Sequence, residues 1–136
     1  MNSLDTNVLV YAVSALEGDK EKAARKLLVR ATTAGWSIAA QVYGEFFAVM
    51  TRRQYMTRKE ARAAIETFSA VMPALPSTVT AHAAALKLAT EKQVQYWDAL
   101  IIAVCAEHSV TQLYTEDTPS APKLLGVKCV SPFGMK

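Results

Sequence analysis

Residues 97–115 read WDALIIAVCAEHSVTQLYT, and this stretch decides the class of fold. Over residues 97–107, apolar side chains occupy nearly every side of a predicted helix, which indicates a helix that is buried all round. Residues 112–115 follow as a short predicted strand. A buried helix that leads into a short strand is typical of a sheet covered by helices.

Outward from this stretch, short predicted strands alternate with longer helical patterns. The strands end at Leu4 and cover residues 36–40, 112–115 and 127–130, with an extended piece at 73–76. The helices begin near residues 8, 19, 41, 57, 78 and 97. This alternation indicates an α/β fold class, in which helices cover both faces of a parallel sheet. The length predicts a single domain over residues 1–136.

Residue types at the helix ends support these boundaries. Gly18 is predicted to end the first helix, and Asp19 to cap the second. Thr57 and Glu60 have the spacing of a capping box, which predicts the start of the fourth helix. Ser77 or Thr78 is predicted to cap the fifth.

The composition excludes several classes of protein. The chain is 51% hydrophobic and 20% charged, which is typical of a globular protein and not of a disordered one. No apolar run reaches the roughly 18 residues that a membrane span needs. The N-terminus lacks the pattern of a signal peptide, so we expect a cytoplasmic protein without membrane attachment. Cys105 and Cys129 have apolar neighbours and are predicted to be reduced core residues.

The net charge of +3 is weak evidence for an anionic partner. The basic residues form two groups, Lys20, Lys22, Arg25, Lys26 and Arg30 in one, and Arg52, Arg53, Arg58, Lys59 and Arg62 in the other. Each group has two interpretations, a solvated helix face or a rim that contacts phosphates. Charge alone does not decide between them.

Two acidic residues lie at predicted strand ends. Asp5 follows Leu4, and Asp117 comes shortly after the strand that contains Tyr114. Ligands of open α/β sheets bind beyond the carboxyl ends of the strands, so both acids are candidate site residues. The alternatives are that Asp5 is a helix cap and that Asp117 is a turn residue bonding its own backbone.

Two further acids interrupt apolar helix faces. Glu45 shares a face with Val42, Phe46 and Val49 at helical spacing. Asp98 begins the helix that is apolar all round. The alternatives are an edge glutamate that reaches water and a plain N-cap.

If these four carboxylates converge, they cannot all remain ionised without positive charge nearby. A hard divalent cation such as Mg²⁺ or Mn²⁺ resolves this, because both ions take oxygen ligands. His82 and His108 are single residues in helical patterns, which argues against a zinc site, and no glycine-rich phosphate loop is present. A metal held by carboxylates suits phosphodiester hydrolysis.

Four motifs resemble those of PIN-domain nucleases, in the same order along the chain. They are Asp5-Thr6-Asn7-Val8-Leu9-Val10-Tyr11, Gln41-Val42-Tyr43-Gly44-Glu45-Phe46-Phe47, Tyr96-Trp97-Asp98-Ala99-Leu100-Ile101-Ile102-Ala103 and Tyr114-Thr115-Glu116-Asp117. The closing segment, residues 126–133, is similar to the family's last strand. The size and the lack of added domains resemble the toxins of VapBC-type toxin–antitoxin pairs.

The resemblance implies a three-layer α/β/α sandwich with a central parallel sheet. It implies a hydrolase, an endoribonuclease that uses Mg²⁺, with Mn²⁺ also accepted, and a toxin that is blocked by a cognate antitoxin and commonly forms a homodimer. The catalytic and metal-binding residues implied are Asp5, Glu45, Asp98 and Asp117. Thr6, Asn7 and Thr115 lie beside the matched acids and are candidates for orienting them. Arg52, Arg53 and Tyr96 are candidate contacts to RNA.

Two other functions compete with the nuclease. One is a catalytically silent PIN-like module that binds RNA or protein, which substitutions at the acids would favour, yet all four acids are present. The other is a phosphoacceptor signalling domain, which needs paired acids after the first strand, whereas Thr6 and Asn7 follow Asp5.

Two departures from the nuclease pattern are the polar Asn2 and Ser3 in the first strand and the lack of an acid or amide directly after Asp117. The second departure counts against a second metal site.

Overall fold

A computed structural model describes residues 1–134, so the last two residues of the predicted domain, Met135 and Lys136, lie outside the described residues. The main sheet has four strands in the order β1-β4-β6-β5. Its strands are β1 (Asn2–Leu4), β4 (Gln112–Tyr114), β5 (Lys123–Leu124) and β6 (Val127–Val130). β1, β4 and β6 are parallel, which confirms the predicted α/β class, and their carboxyl ends share one edge.

β5 was not predicted from the sequence, and it lies antiparallel to β6 at the edge of the sheet. Leu124 pairs with Val127, so Leu125 and Gly126 form a two-residue hairpin turn. Both turn residues have positive φ, 51° and 79°, as a type I′ turn requires. The usual signals for this turn are Asn-Gly and Asp-Gly, and Leu125 gives no such signal.

A second, two-stranded parallel ladder pairs β2 (Ile38–Ala39) with β3 (Ala74–Leu75). It lies beside β1, where the hydroxyl of Ser3 donates a hydrogen bond of 2.7 Å to the carbonyl of Ser37. Ser3 is fully buried. The polar residue that departs from the expected strand pattern therefore links β1 to the second ladder.

Six helices form the outer layers of the described chain, giving the predicted three-layer sandwich. They are α1 (Thr6–Val13), α2 (Asp19–Ala34), α3 (Ala40–Arg52), α4 (Arg58–Val71), α5 (Val79–Glu91) and α6 (Tyr96–Glu107). Residues 99–105 of α6 are all buried, as the apolar pattern predicts. None of the described helices is long and apolar enough to cross a membrane.

Several details of the helix ends differ from the predictions. α1 ends at Val13 and not at Gly18, and the guanidinium of Arg25 binds the carbonyls of Ser14 and Leu16 in the connection that follows. Gly18 is the N-cap of α2, while Asp19 is the first helical residue.

Other end predictions are confirmed. The capping box of α4 forms, with Thr57 Oγ1 accepting from the backbone N–H of Glu60 at 3.1 Å. Thr78 caps α5 and accepts from the N–H of Ala81 at 3.0 Å. Cys105 and Cys129 are buried, unbridged thiols, and burial raises their pKa to about 12 and about 11.

Candidate active site

Asp5 and Asp117 follow two neighbouring strands, β1 and β4, at the shared carboxyl edge. The backbone N–H of Asp5 donates to the carbonyl of Tyr114 at 2.9 Å, which extends the pairing of the two strands to the site. Asp5 is also the N-cap of α1, and its Oδ1 accepts from the N–H of Thr6 at 2.7 Å. The helix-cap interpretation of Asp5 is confirmed, and the residue lies in the site as well.

Glu45 and Asp98 reach the same place from α3 and α6. Asp98 is the third residue of α6 and not its cap, because Gln95 Oε1 accepts from the N–H of Asp98 at 3.1 Å. The N-cap alternative for Asp98 is therefore wrong, and its carboxylate is left for the site. Both side chains are half-buried, in keeping with their positions beside apolar helix faces.

These four acids line a single pocket of about 240 Å³. The other lining residues are Thr6, Asn7, Ala48, Val49 and Arg52. Asp5 lies deepest, with 7% of its surface exposed, whereas Asp117 is exposed at the rim. The structure thus brings all four predicted carboxylates together, along with one of the three predicted RNA contacts.

Three side chains predicted to orient the acids each donate to one of them. Thr115 Oγ1 donates to Asp5 Oδ2 at 2.7 Å, and Thr6 Oγ1 donates to Glu45 Oε1 at 2.5 Å. Asn7 Nδ2 donates to Asp117 Oδ2 at 3.2 Å. Because Asp117 reaches Asn7 across the pocket, the alternative of an isolated turn residue does not describe it.

The pocket makes ionisation of its acids costly. Burial raises the pKa of Asp5, against the lowering effect of its hydrogen bonds from Thr115 and Thr6, and the charges of Glu45 and Asp117 raise it further. The pKa of Asp98 is raised to about 6, first by burial and then by the charges of Asp5, Asp117 and Glu45. Mutual repulsion of this kind marks a place where positive charge would be stabilised.

The donor chemistry fits a hard cation, because the pocket offers only oxygen ligands from carboxylates, hydroxyls and an amide. Among residues 1–134, however, no group of three or more His, Cys, Asp or Glu side chains is arranged to hold a metal ion as it stands. Carboxylate oxygens of Asp5, Glu45 and Asp117 accept from neighbouring protein donors instead. The pocket therefore has the residue types that a divalent metal ion requires. Their side chains would have to adopt other rotamers to coordinate one.

Gln41 is a residue of this site that sequence reasoning missed. Its Nε2 donates to Glu45 Oε2 at 2.8 Å and to the carbonyl of Trp97 at 3.1 Å, so it links α3 to the start of α6 beside Asp98. Its Oε1 is buried without a hydrogen-bond partner in the described structure. The signal in the sequence was the spacing of four residues between Gln41 and Glu45, which places both on one helix face.

Glu116 is a second residue that was missed. Its carboxylate accepts from the hydroxyl of Tyr11 at 3.0 Å and forms an ion pair with Lys20. Tyr11 in turn packs edge-on against Phe133, with 5.2 Å between ring centroids. Through these contacts Glu116, the residue before Asp117, connects the loop to α1, α2 and the C-terminal segment.

Arg53 and Tyr96 do not line the carboxylate pocket. Arg53 is exposed at the end of α3, and the hydroxyl of Tyr96 lies 2.5 Å from Nδ1 of His82 on α5. The neighbouring Trp97 is 52% exposed, so it does not pack in the core.

We expect Thr115→Val to destabilise the protein by about 1–3 kcal/mol. Thr115 is 2% exposed, and the substitution leaves the buried carboxylate of Asp5 without one of its donors while nearly preserving shape. Urea unfolding at pH 7 measures the change, with Thr80→Val at an exposed position of α5 as the matched control. Equal stability of the two variants would show that the Thr115 hydrogen bond contributes nothing.

The fold is a three-layer α/β/α sandwich, and an acidic pocket lies at the carboxyl ends of its parallel strands. Together these features describe an α/β domain with a candidate metal centre. A family model for the PIN domain matches residues 3–119. The chain belongs to the PIN-domain family, as the four motifs predicted. No curated protein matches the chain.

Solved structures share the fold. A chain of a toxin–antitoxin complex from Klebsiella pneumoniae has a TM-score of 0.71 at 19% identity, covering 99% of this chain and 100% of that one. VapC20 of Mycobacterium tuberculosis, described as a sarcin–ricin loop cleaving toxin, has a TM-score of 0.70 at 20% identity, covering 86% and 90%. FitAcB from Neisseria gonorrhoeae has a TM-score of 0.73 at 18% identity, covering 99% and 100%. At these identities the similarity establishes the fold alone.

Proposed function

We propose that this chain is a metal-dependent endoribonuclease that acts as the toxin of a toxin–antitoxin pair. The observation that carries the proposal is the pocket in which Asp5, Glu45, Asp98 and Asp117 meet from four separate elements of the fold. Membership of the PIN-domain family supports a nuclease. A silent binding module has no need to keep four mutually repelling carboxylates in one pocket.

The four carboxylates would hold Mg²⁺ or Mn²⁺. When bound, such an ion lowers the pKa of a water molecule, orients the scissile phosphate and offsets the charge that develops in the transition state. The ion would also offset the burial and the mutual repulsion that together raise the pKa of Asp5 and of Asp98. Asp5 is the most buried of the four, and Thr6 and Thr115 both donate to it.

The remaining polar side chains would position these ligands. Thr6 and Gln41 donate to the two oxygens of Glu45, and Asn7 donates to Asp117 at the exposed rim. Arg52 is the cation that lines the pocket among the described residues, and it is placed to bind a phosphate of the substrate. Residues that orient metal ligands typically change metal affinity or activity by about 10–100-fold when substituted.

The role as a toxin is supported by the solved structures that share the fold, several of which are described as toxins or toxin–antitoxin complexes. On this proposal a small antitoxin protein binds the chain and blocks the pocket. A homodimer is part of the same proposal, and sedimentation of the purified protein tests it.

The function is tested with antitoxin-free protein and total RNA. We expect no cleavage in EDTA and specific fragments when Mg²⁺ or Mn²⁺ is restored, whereas Ca²⁺ should support binding with little turnover. Mapping the 5′ ends of the fragments identifies the cut sites. Cleavage that persists in EDTA, or tight RNA binding without cleavage in Mn²⁺, would contradict the proposal, and the second result would favour the silent module.

A further inference from the structure

A groove runs from the carboxylate pocket along the end of α3 to the start of α4. It encloses about 850 Å³ and is lined by Arg52, Gln54, Tyr55, Met56, Thr57 and Arg58, among others. Ala48 and Arg52 line both this groove and the carboxylate pocket, so the two cavities adjoin. A linear ligand held at the acids can therefore extend into the groove.

The groove carries positive charge that the described structure does not neutralise. The ion pairs among residues 1–134 involve Lys20, Arg25 and Arg62, and neither Arg52 nor Arg58 takes part. Glu60 also lines the groove and keeps its charge while it accepts from the N–H of Thr57, so two arginines face one carboxylate there. Two arginines are thus available to an anionic chain.

A second cavity, which Asp98 and Asp117 also line, lacks the positive charge of the groove. It encloses about 680 Å³, and apart from these two proposed metal ligands its charged lining residues are Glu91 and Lys92. One carboxylate against one cation offers a phosphate backbone no net attraction. Electrostatics therefore favour the α3–α4 side for the phosphates next to the cut.

Tyr55 gives the groove a surface for stacking. Its side chain is 60% exposed, and its backbone is fixed, because the N–H groups of Tyr55 and Met56 both donate to the carbonyl of Met50, at 2.9 and 3.2 Å. An exposed aromatic ring on a fixed turn between two arginines is a suitable platform for an unpaired base.

We propose that this groove binds the single-stranded RNA on one side of the scissile phosphate, with Arg52 and Arg58 holding phosphates and Tyr55 stacking on a base. The inference rests on the proposed function and adds to it the path of the substrate. It also states the form of the substrate at this point, since a base in a duplex cannot stack on Tyr55 without leaving the helix.

A competing occupant is a protein segment. Tyr55 also borders an apolar cavity of about 360 Å³ that is lined by Val13, Leu16, Met50 and Met56. A protein side chain would fill that cavity without needing the arginines. The two occupants differ in which substitutions weaken RNA binding.

The test measures RNA affinity in the Asp98→Asn background, so that binding is read without cleavage. The ligands are a twelve-nucleotide oligoadenylate and the matching oligomer of abasic ribose phosphates, followed by fluorescence anisotropy in Ca²⁺. We expect Tyr55→Ala to weaken binding of oligoadenylate about tenfold and to leave the abasic ligand unaffected. Tyr55→Phe should restore the affinity, because the ring is retained.

Arg52→Ala and Arg58→Ala should each weaken both ligands about three- to fivefold. Each should also lower the slope of log affinity against log salt by about 0.7, the value for one phosphate of a single strand. Arg62→Ala is the matched control, because Arg62 lies on α4 outside the groove and pairs with Glu66. It should change neither the affinity nor the slope.

Unchanged affinity in the Tyr55 and arginine variants would contradict the proposal that the groove binds RNA. It would favour a protein segment as the occupant. That result leaves the proposed function intact if the parent protein, with Asp98 present, still cleaves RNA in Mg²⁺. Failure of the parent protein to cleave RNA in the presence of either metal would instead overturn the proposed function.

Discussion

Asp98→Asn is expected to reduce RNA cleavage by roughly 10⁴-fold, the scale seen when the aspartate of a catalytic triad is replaced by asparagine. Asparagine has nearly the same shape as aspartate, and Gln95 rather than Asp98 caps α6, so the helix should form as before. What is lost is one negative charge in a pocket proposed to hold a divalent cation. The measurement is single-turnover cleavage of a mapped RNA site in Mg²⁺.

Asp19→Asn is the matched control, since Asp19 is exposed in the first turn of α2 and away from the pocket. It should retain full activity. If Asp98→Asn and the unsubstituted protein cleave at the same rate, the activity belongs to a contaminant or to other residues.

In the absence of divalent ions, the protein is expected to be less stable at pH 8 than the Asp98→Asn variant by about 1–2 kcal/mol, because solvent screens part of the effect at this half-buried carboxylate. The pKa of Asp98 is raised from 3.8 to about 6 in the folded protein, so folding favours the protonated form. The stabilisation that results is complete below pH 3.8 and is lost as the pH rises through about 6. Asparagine stays neutral and escapes this loss.

The corresponding shift in Tm is about 3–8 °C at pH 8, and it should shrink toward zero at pH 4. Thermal unfolding in EDTA between pH 4 and pH 8 measures it, with Asp19→Asn again as the control. Adding Mn²⁺ at pH 8 should stabilise the unsubstituted protein more than Asp98→Asn. The ion supplies positive charge to the pocket, and the variant has one carboxylate fewer with which to bind it. A constant difference between the two proteins across this pH range would show that the pKa of Asp98 is not raised in the folded protein.

The sequence predicts most of this fold because its strongest signals are local. The capping box at Thr57 and Glu60 and the apolar run in α6 depend on neighbours within one helix, and both appear where expected. The four acids could be found because two interrupt apolar faces and two follow strands. The convergence of Asp5 and Asp117 follows from the parallel pairing of β1 and β4.

Features that depend on partners distant in sequence could not be predicted. The role of Ser3 depends on the carbonyl of Ser37, 34 residues away, and Gln41 donates to the carbonyl of Trp97, 56 residues away. A hydrogen bond of this kind leaves no periodic pattern in the sequence. The groove could not be predicted for a related reason. Arg58 reaches the groove because the turn at Tyr55 folds back on Met50.

Asp5 performs two tasks with one carboxylate, since Oδ1 caps α1 while the side chain forms the floor of the acidic pocket. On the proposed function, selection for folding and selection for RNA cleavage act on the same side chain. In a descendant relieved of any need to cleave RNA, the exposed Asp117 would be the first acid free to drift, whereas Asp5 would persist as a helix cap. An aspartate at this position alone is thus a poor sign of activity in a relative, and the state of the rim is the better one.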